Sequence, residues 1–292
     1  MSNYTPEELA FLKAASVKPV PITPFEEYAE KYKDVFALRR EDGICEIRMH
    51  ANGGTPVFAT AHHAGLGQII NYAQNDPENE VLIITSTGDR LCMETPNSIT
   101  QLMRDMKQKP QETYERYKEG YDLVQAIVNT KIPTIGAING PADGMLWLSL
   151  CDITVCSDTA TMCERHFGVN IVPADGNLQT LIGLCGLKKG SYLGYMGKEI
   201  DAQMALDLGL VSEVVPFEKV NDRAWEIARY MMTRDKYVRR LTHHVVRGYY
   251  QNLVKDISHQ LGTEFWGHVM ANADYEDEQA QKAAQDSNED KK

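Results

Sequence analysis

The chain has 292 residues, a formal charge of −11, 43% hydrophobic residues and 24% charged residues. That length allows one large α/β domain or two small ones, with ample material for a core. The acidic balance, with no dense stripe of lysine and arginine, argues against a nucleic-acid binder and against adhesion to an anionic membrane, since both need clustered cations.

The N-terminus, MSNYTPEELAFLKAAS, is acidic and lacks the basic start and apolar centre of a secretion signal. No apolar run approaches the ~20 residues that span a bilayer, so a cytoplasmic location is expected. Residues 1–30 read as an extension. Thr5 can cap a helix that starts at Pro6-Glu7-Glu8, the Pro-rich link KPVPITP follows, and FEEYAEKY suggests a second short helix. Two strands are expected at Val35–Arg40 and Ile44–His50, where ICEIRMH alternates apolar and polar residues. Glu41-Asp42-Gly43 between them signals a hairpin. HHAGLGQIINYAQ reads as a helix. VLIITST, Val81 to Thr87, is a continuous apolar run, as expected for a strand buried on both faces. The polar stretch from Asn97 to Thr130 reads as mostly helical. TIGAIN, Thr134 to Asn139, is a second buried strand, ended by Gly140-Pro141, and MLWLSL leads into a third, DITVCS.

Strands alternating with helices give a layered α/β fold, with a core over 31–215 and a helical segment over 216–272. The last twenty residues, with seven acids and three lysines, read as a frayed or disordered tail. The six cysteines form no CxxC pair, and several lie in apolar runs such as LCDITVC, so buried, reduced thiols are expected. No metal centre is expected, because a tetrahedral site needs clustered Cys or His.

No GxxxxGK[ST], GxGxxG or GxSxG motif is present, which disfavours a nucleotide-driven enzyme and a serine hydrolase. Three places could carry chemistry. The loops Thr87–Glu94 and Asn139–Gly144 follow buried strands, where α/β sites sit. Each could aim backbone N–H groups at a carbonyl oxygen or serve only as a strand-to-helix connection. The third is Glu164-Arg165-His166-Phe167-Gly168 followed by Ile171-Val172-Pro173-Ala174-Asp175-Gly176. Here Asp175 could orient His166 as a general base, or cap the helix after Gly176 beside a packed loop histidine. The doublets His62-His63 and His243-His244 make poor paired ligands, because neighbours on a helix point ~100° apart. Surface or cap roles are expected for both.

In order, VLIITSTGDRLCMETPN, KIPTIGAINGPADG, CDITVCSDTATMCERHFGVNIVPADGN and LGYMGKEIDAQMALDLGLVSEVVP resemble the crotonase (enoyl-CoA hydratase/isomerase) superfamily, over roughly Phe25 to Asn272. The resemblance implies an α/β fold, a spiral of ββα turns with a helical C-terminal trimerisation segment, assembled as a homotrimer or a dimer of trimers. Within the superfamily the chain is most similar to the β-diketone hydrolases of the 6-oxocamphor hydrolase type. His166-Phe167, then Ile171-Val172-Pro173-Ala174-Asp175-Gly176, follows their motif. Glu264 in LGTEF matches their C-terminal glutamate, and the Asn-Gly-Pro opening of the second loop and Thr60-Ala61-His62 also match.

The two glutamates of the coenzyme A hydratases are absent, because their positions fall near Leu146 and at His166. The histidine that the diketone hydrolases carry near Met145 is absent too. Oxyanion support is then expected from backbone N–H groups near Met93 and Gly144, or from Trp147. Met93, Met145, Trp147 and Phe167, with Leu91 and Leu146, would line an apolar substrate pocket.

The resemblance implies retro-Claisen hydrolysis of a small β-dicarbonyl, with no cofactor. His166, oriented by Asp175, would activate water, and Glu264 would position the water or return the proton. Hydration, isomerisation or decarboxylation of an acyl-CoA on the same scaffold is the alternative. A non-catalytic scaffold using the acidic tail or N-terminal arm is a third reading.

Overall fold

The computed structural model describes residues 4–17, 22–57, 60–93, 110–142, 144–267 and 270. Helix α1 (Pro6–Val17) opens as its sequence dictates. The Glu8 N–H donates to Thr5 Oγ1 at 3.2 Å and the Thr5 N–H donates to the Glu8 carboxylate at 2.7 Å, a reciprocal capping box. Helix α2 (Phe25–Tyr32) then leads into the hairpin of β1 (Phe36–Glu41) and β2 (Ile44–Met49). Asp42 and Gly43 both adopt positive φ, 50° and 81°. That backbone matches the right-handed twist of the paired strands, which is why Asp-Gly stands there.

The chain continues through α3 (Thr60–Asn75), β3 (Val81–Ser86), α4 (Pro110–Val128), β4 (Thr134–Ile138), β5 (Ile153–Ser157) and the short β6 (Thr161–Met162). Next come α5 (Asn177–Cys185), α6 (Leu187–Met196), β7 (Ile200–Asp201), α7 (Ala202–Asp207), β8 (Glu213–Val215), α8 (Val220–Met232) and α9 (Lys236–Leu253). A further helix, α10, covers 257–267. The main sheet runs β1-β2-β3-β4-β5-β8, antiparallel at the first pair and parallel at every other. Strands β6 and β7 form a small antiparallel pair beside it.

The apolar runs at β3 and β4 follow from two cores, one on each face of the sheet. Leu82 and Ile84 pack in the larger cluster with Leu66, Ile69 and Ile70 of α3, while Val81 and Ile83 pack in the smaller one with Ala224, Trp225 and Ala228 of α8. Every residue of both strands is buried, as expected where helices cover both faces of a parallel sheet. Because β3, β4 and β5 are parallel, the loops that follow them emerge at the same edge.

Several expectations change. MLWLSL, given no element in the sequence, closes a 3-10 turn at Trp147–Leu150. Helix α4 starts at Pro110, and the earlier part of the expected 97–130 helix, like part of KPVPITP and the acidic tail, lies outside the described residues. Each histidine doublet is split, with one member buried and the other at least partly open. On a helix, a 100° offset turns one member inward, so His62 is buried with Nε2 2.8 Å from the His50 carbonyl, and His243 is buried while His244 is exposed. All six cysteines are free thiols and five are buried. Burial pushes Cys45, Cys151 and Cys156 up to about 12, which leaves them inert as nucleophiles. Among the described residues, no helix is long and apolar enough to cross a membrane.

Candidate active site

The loops after β3 and β4 are locked to each other. Ser86 Oγ donates to Asn139 Oδ1 at 2.7 Å, Asn139 Nδ2 donates to the Gly88 carbonyl at 2.6 Å, and the Leu91 N–H donates to the Pro141 carbonyl at 2.9 Å. A Cβ at Gly140 would stand 2.0 Å from the Asp89 carbonyl oxygen, so the two backbones touch and only glycine fits.

Asn177, buried at the first turn of α5, ties this edge to the next loop. Its Nδ2 donates to the Gly144 carbonyl at 2.7 Å and to Asp175 Oδ2 at 3.0 Å, and its Oδ1 accepts the Leu146 N–H at 2.9 Å. Sequence reasoning missed Asn177. Its position one residue past Gly176, at a helix start, was the signal.

The expected oxyanion and pocket residues are placed differently from the sequence reading. The Met93 N–H donates to the Pro56 carbonyl at 2.9 Å and the Met145 N–H to the Ala142 carbonyl at 2.8 Å, so each is already committed. Met145 and Trp147 are buried and pack in the larger core. Gly144 holds a left-handed φ of 87°, which turns the chain sharply between the second loop and Met145. Phe167 is half-exposed, with its ring edge-to-face against Tyr195 at 5.1 Å.

His166, Asp175 and Glu264 come together, and Glu164 joins them. His166 opens a 3-10 turn, His166–Val169, just after the small strand β6. Its Nδ1 lies 2.6 Å from Glu164 Oε1, and its own N–H donates to the same oxygen at 2.7 Å. Nε2 faces Asp175 Oδ2 at 3.9 Å, beyond hydrogen-bond range. The carboxylate bonded to the ring is therefore Glu164, not Asp175 as the resemblance implied. Asp175 also accepts the Asn177 N–H at 3.2 Å, so the helix-capping role is present alongside the acidic face it turns to His166. Glu264, on α10, accepts the Ala174 N–H at 3.0 Å.

The charges do not balance. Burial works against the His166 imidazolium, but the Asp175 and Glu164 carboxylates outweigh it and carry its pKa well above the ordinary value. Burial, and then Asp175, push Glu264 up to about 8, partly offset by His166. A site in which three carboxyl groups surround one imidazole stores protons that can be moved.

Glu164, His166 and Asp175 also offer ligand atoms within 4.8 Å of one another. The two carboxylates, however, address opposite ring nitrogens, whose lone pairs diverge. An ion at Nε2 beside Asp175 would leave Glu164 across the ring, so the set does not form a shared metal centre.

The chain matches the enoyl-CoA hydratase/isomerase family over residues 39–281. The hydroxycinnamoyl-CoA hydratase-lyase of Pseudomonas fluorescens is 23% identical over 222 residues, 74% of this chain and 79% of that protein. The enoyl-CoA isomerase/hydratase of Mycosarcoma maydis is 28% identical over 162 residues, 54% of this chain and 57% of that protein, so the chain spans little more than half of that relative. Among solved structures, a β-diketone hydrolase from the cyanobacterium Anabaena sp. PCC 7120, bound to (S)-3-oxocyclohexyl acetic acid, superposes with a TM-score of 0.77 and 29% identity, covering 84% of this chain and 97% of that one. An enoyl-CoA hydratase/isomerase from Mycobacterium paratuberculosis superposes at 0.75 with 21% identity, covering 81% and 94%. With its parallel sheet and helical C-terminal segment, the chain belongs to the enoyl-CoA hydratase/isomerase family, the crotonase superfamily of enzymes.

Proposed function

We propose that the protein hydrolyses a carbon–carbon bond between the two carbonyls of a small β-diketone, without coenzyme A. The observation that carries the reading is His166 lying between Glu164 and Asp175, with Glu264, which burial pushes up to about 8, close by. The likeness to the cyanobacterial β-diketone hydrolase supports it. Neutral His166 takes a proton from water, and the hydroxide adds to one carbonyl. The bond to the carbon between the carbonyls breaks, which leaves a carboxylic acid and an enolate. The enolate carbon takes the proton of Glu264, and the proton on His166 restores the cluster. Water and diketone in, acid and ketone out, balances with no other reactant.

The test is incubation with cyclic and bicyclic 1,3-diketones, following loss of enol absorbance and the mass of the ring-opened acid. Cleavage that His166→Ala abolishes supports the hydrolase. No cleavage across the panel, with turnover of enoyl or β-keto thioesters instead, supports the acyl-CoA reading that the family match keeps open.

We also propose a homotrimer or a dimer of trimers. Tyr237, Leu241, Val245 and Tyr249 repeat every four residues along α9 and are all exposed in the single chain, an apolar stripe of the kind that packs against another subunit. Light scattering that returned a monomer would overturn this.

A further inference from the structure

We propose that Glu164 is the positioning residue of the site. It fixes the His166 ring with the proton on Nδ1, so that the lone pair of Nε2 faces Asp175 and the reacting water. The inference rests on reading His166 as the base, and it assigns the orienting role to a residue that lies outside the His–Asp spacing.

Three observations carry it. First, Glu164 Oε1 holds His166 at two points, the ring Nδ1 at 2.6 Å and the backbone N–H at 2.7 Å, so ring and main chain share one anchor. Second, Glu164 is fully buried, and a buried carboxylate packed against its partner cannot swing away as a surface one would. Its Oε2 has no hydrogen-bond partner among the described residues, so the clamp on His166 accounts for its hydrogen bonding. Third, Asp175 is held elsewhere. Asn177 binds both of its oxygens, at 3.2 Å and 3.0 Å, and its approach to Nε2 is 3.9 Å.

The charged groups facing the ring are therefore Glu164 on Nδ1, Asp175 on Nε2, and Glu264 from α10. Only the first makes a hydrogen bond to the ring, and the hydrogen bond on one ring nitrogen decides the tautomer at the other. Asp175 is left to face the water and stabilise the imidazolium once it forms, while tied to the second loop through Asn177.

Nitrogen-15 NMR of histidine-labelled protein tests this without any substrate. Above the titration midpoint of His166, the wild-type ring is expected to carry its proton on Nδ1. Glu164→Gln, which keeps the shape and an acceptor oxygen, should keep that tautomer but lower the midpoint, whereas Glu164→Leu should give mixed tautomers. Asp175→Asn should leave the tautomer unchanged. A wild-type ring protonated on Nε2, or a tautomer set by Asp175 and indifferent to Glu164, overturns the proposal. The wild-type and Asp175→Asn spectra suffice should the Leu variant not fold.

If the diketone panel is cleaved, Glu164→Leu should lower kcat by roughly 100-fold or more with KM little changed, the signature of a misaligned base, and Glu164→Gln should lower it less. If nothing in the panel is cleaved while the NMR result holds, the hydrolase reading fails and the positioning role stands.

Discussion

His243 and His166 each press an imidazole against a carboxylate inside the same molecule, but their surroundings are charged differently. At His243 one carboxylate serves two bases. Asp152 Oδ2 lies 2.9 Å from His243 Nδ1, and Oδ1 lies 3.1 Å from Arg247 Nη2. Thr134 donates both its N–H, at 2.7 Å, and its hydroxyl, at 2.9 Å, and Arg247 also donates to the Leu150 carbonyl at 2.8 Å. Burial opposes ionisation of Asp152, yet His243 and Arg247 together hold it below the usual carboxylate range. At His166 three carboxyl groups serve one base, and one of them is pushed the opposite way. The first cluster pins α9 to the start of β4 and β5. The unbalanced one holds protons whose positions water or substrate can change. Charge balance, rather than residue type, separates the clamp from the candidate site.

Four measurements sharpen or break that contrast. His166→Ala should lower kcat/KM on a cleaved diketone by roughly 10²- to 10⁴-fold per folded molecule; an unchanged rate would make His166 a second clamp. Arg247→Leu should act on stability instead. Stranding buried Asp152 costs about 3–5 kcal/mol, read as a lower denaturant midpoint, with activity per folded molecule retained. Gly140→Ala forces a methyl group to 2.0 Å from the Asp89 carbonyl and should cost about 1–3 kcal/mol; an undisturbed stability curve would mean that the two loops can part.

The smallest effect is expected from Glu264→Gln on stability, and its sign is diagnostic. The folded-state pKa of Glu264 is raised, so the stability it lends is present at low pH and is lost as pH climbs toward about 8. The amide removes that loss, and the variant should be more stable than wild type above pH 8. Activity of the wild type should rise as His166 loses its proton and fall as Glu264 loses its own, with apparent pKa values that belong to the cluster. Glu264→Gln should lower the rate and erase the falling limb.

Local patterns carried much of the fold. The Thr5 cap, the Asp42-Gly43 turn and the runs at β3 and β4 depend on neighbours a few residues away, and each formed as its sequence implied. His166 and Asp175 were singled out by the resemblance rather than by spacing, and the structure brings them to 3.9 Å without a hydrogen bond. Glu164 was in plain view in the same segment, but a glutamate two residues before a histidine carries no spacing signal. Its role appears only when the turn at His166 folds the ring back onto it. The commitment of the Met93 N–H to Pro56 joins two loops far apart in the chain, which no periodicity encodes.

The sequence by itself determined the alternation of strands and helices, the sharp turns and the reduced cysteines, because these follow from burial periodicity and short-range stereochemistry. The tertiary structure decided which member of each histidine doublet is buried, which carboxylate holds His166 and how high Glu264 is pushed. Those depend on how many charges share one dry volume, a quantity set by residues as distant as Glu164 and Glu264 and fixed only when α10 packs against the loop that carries Asp175.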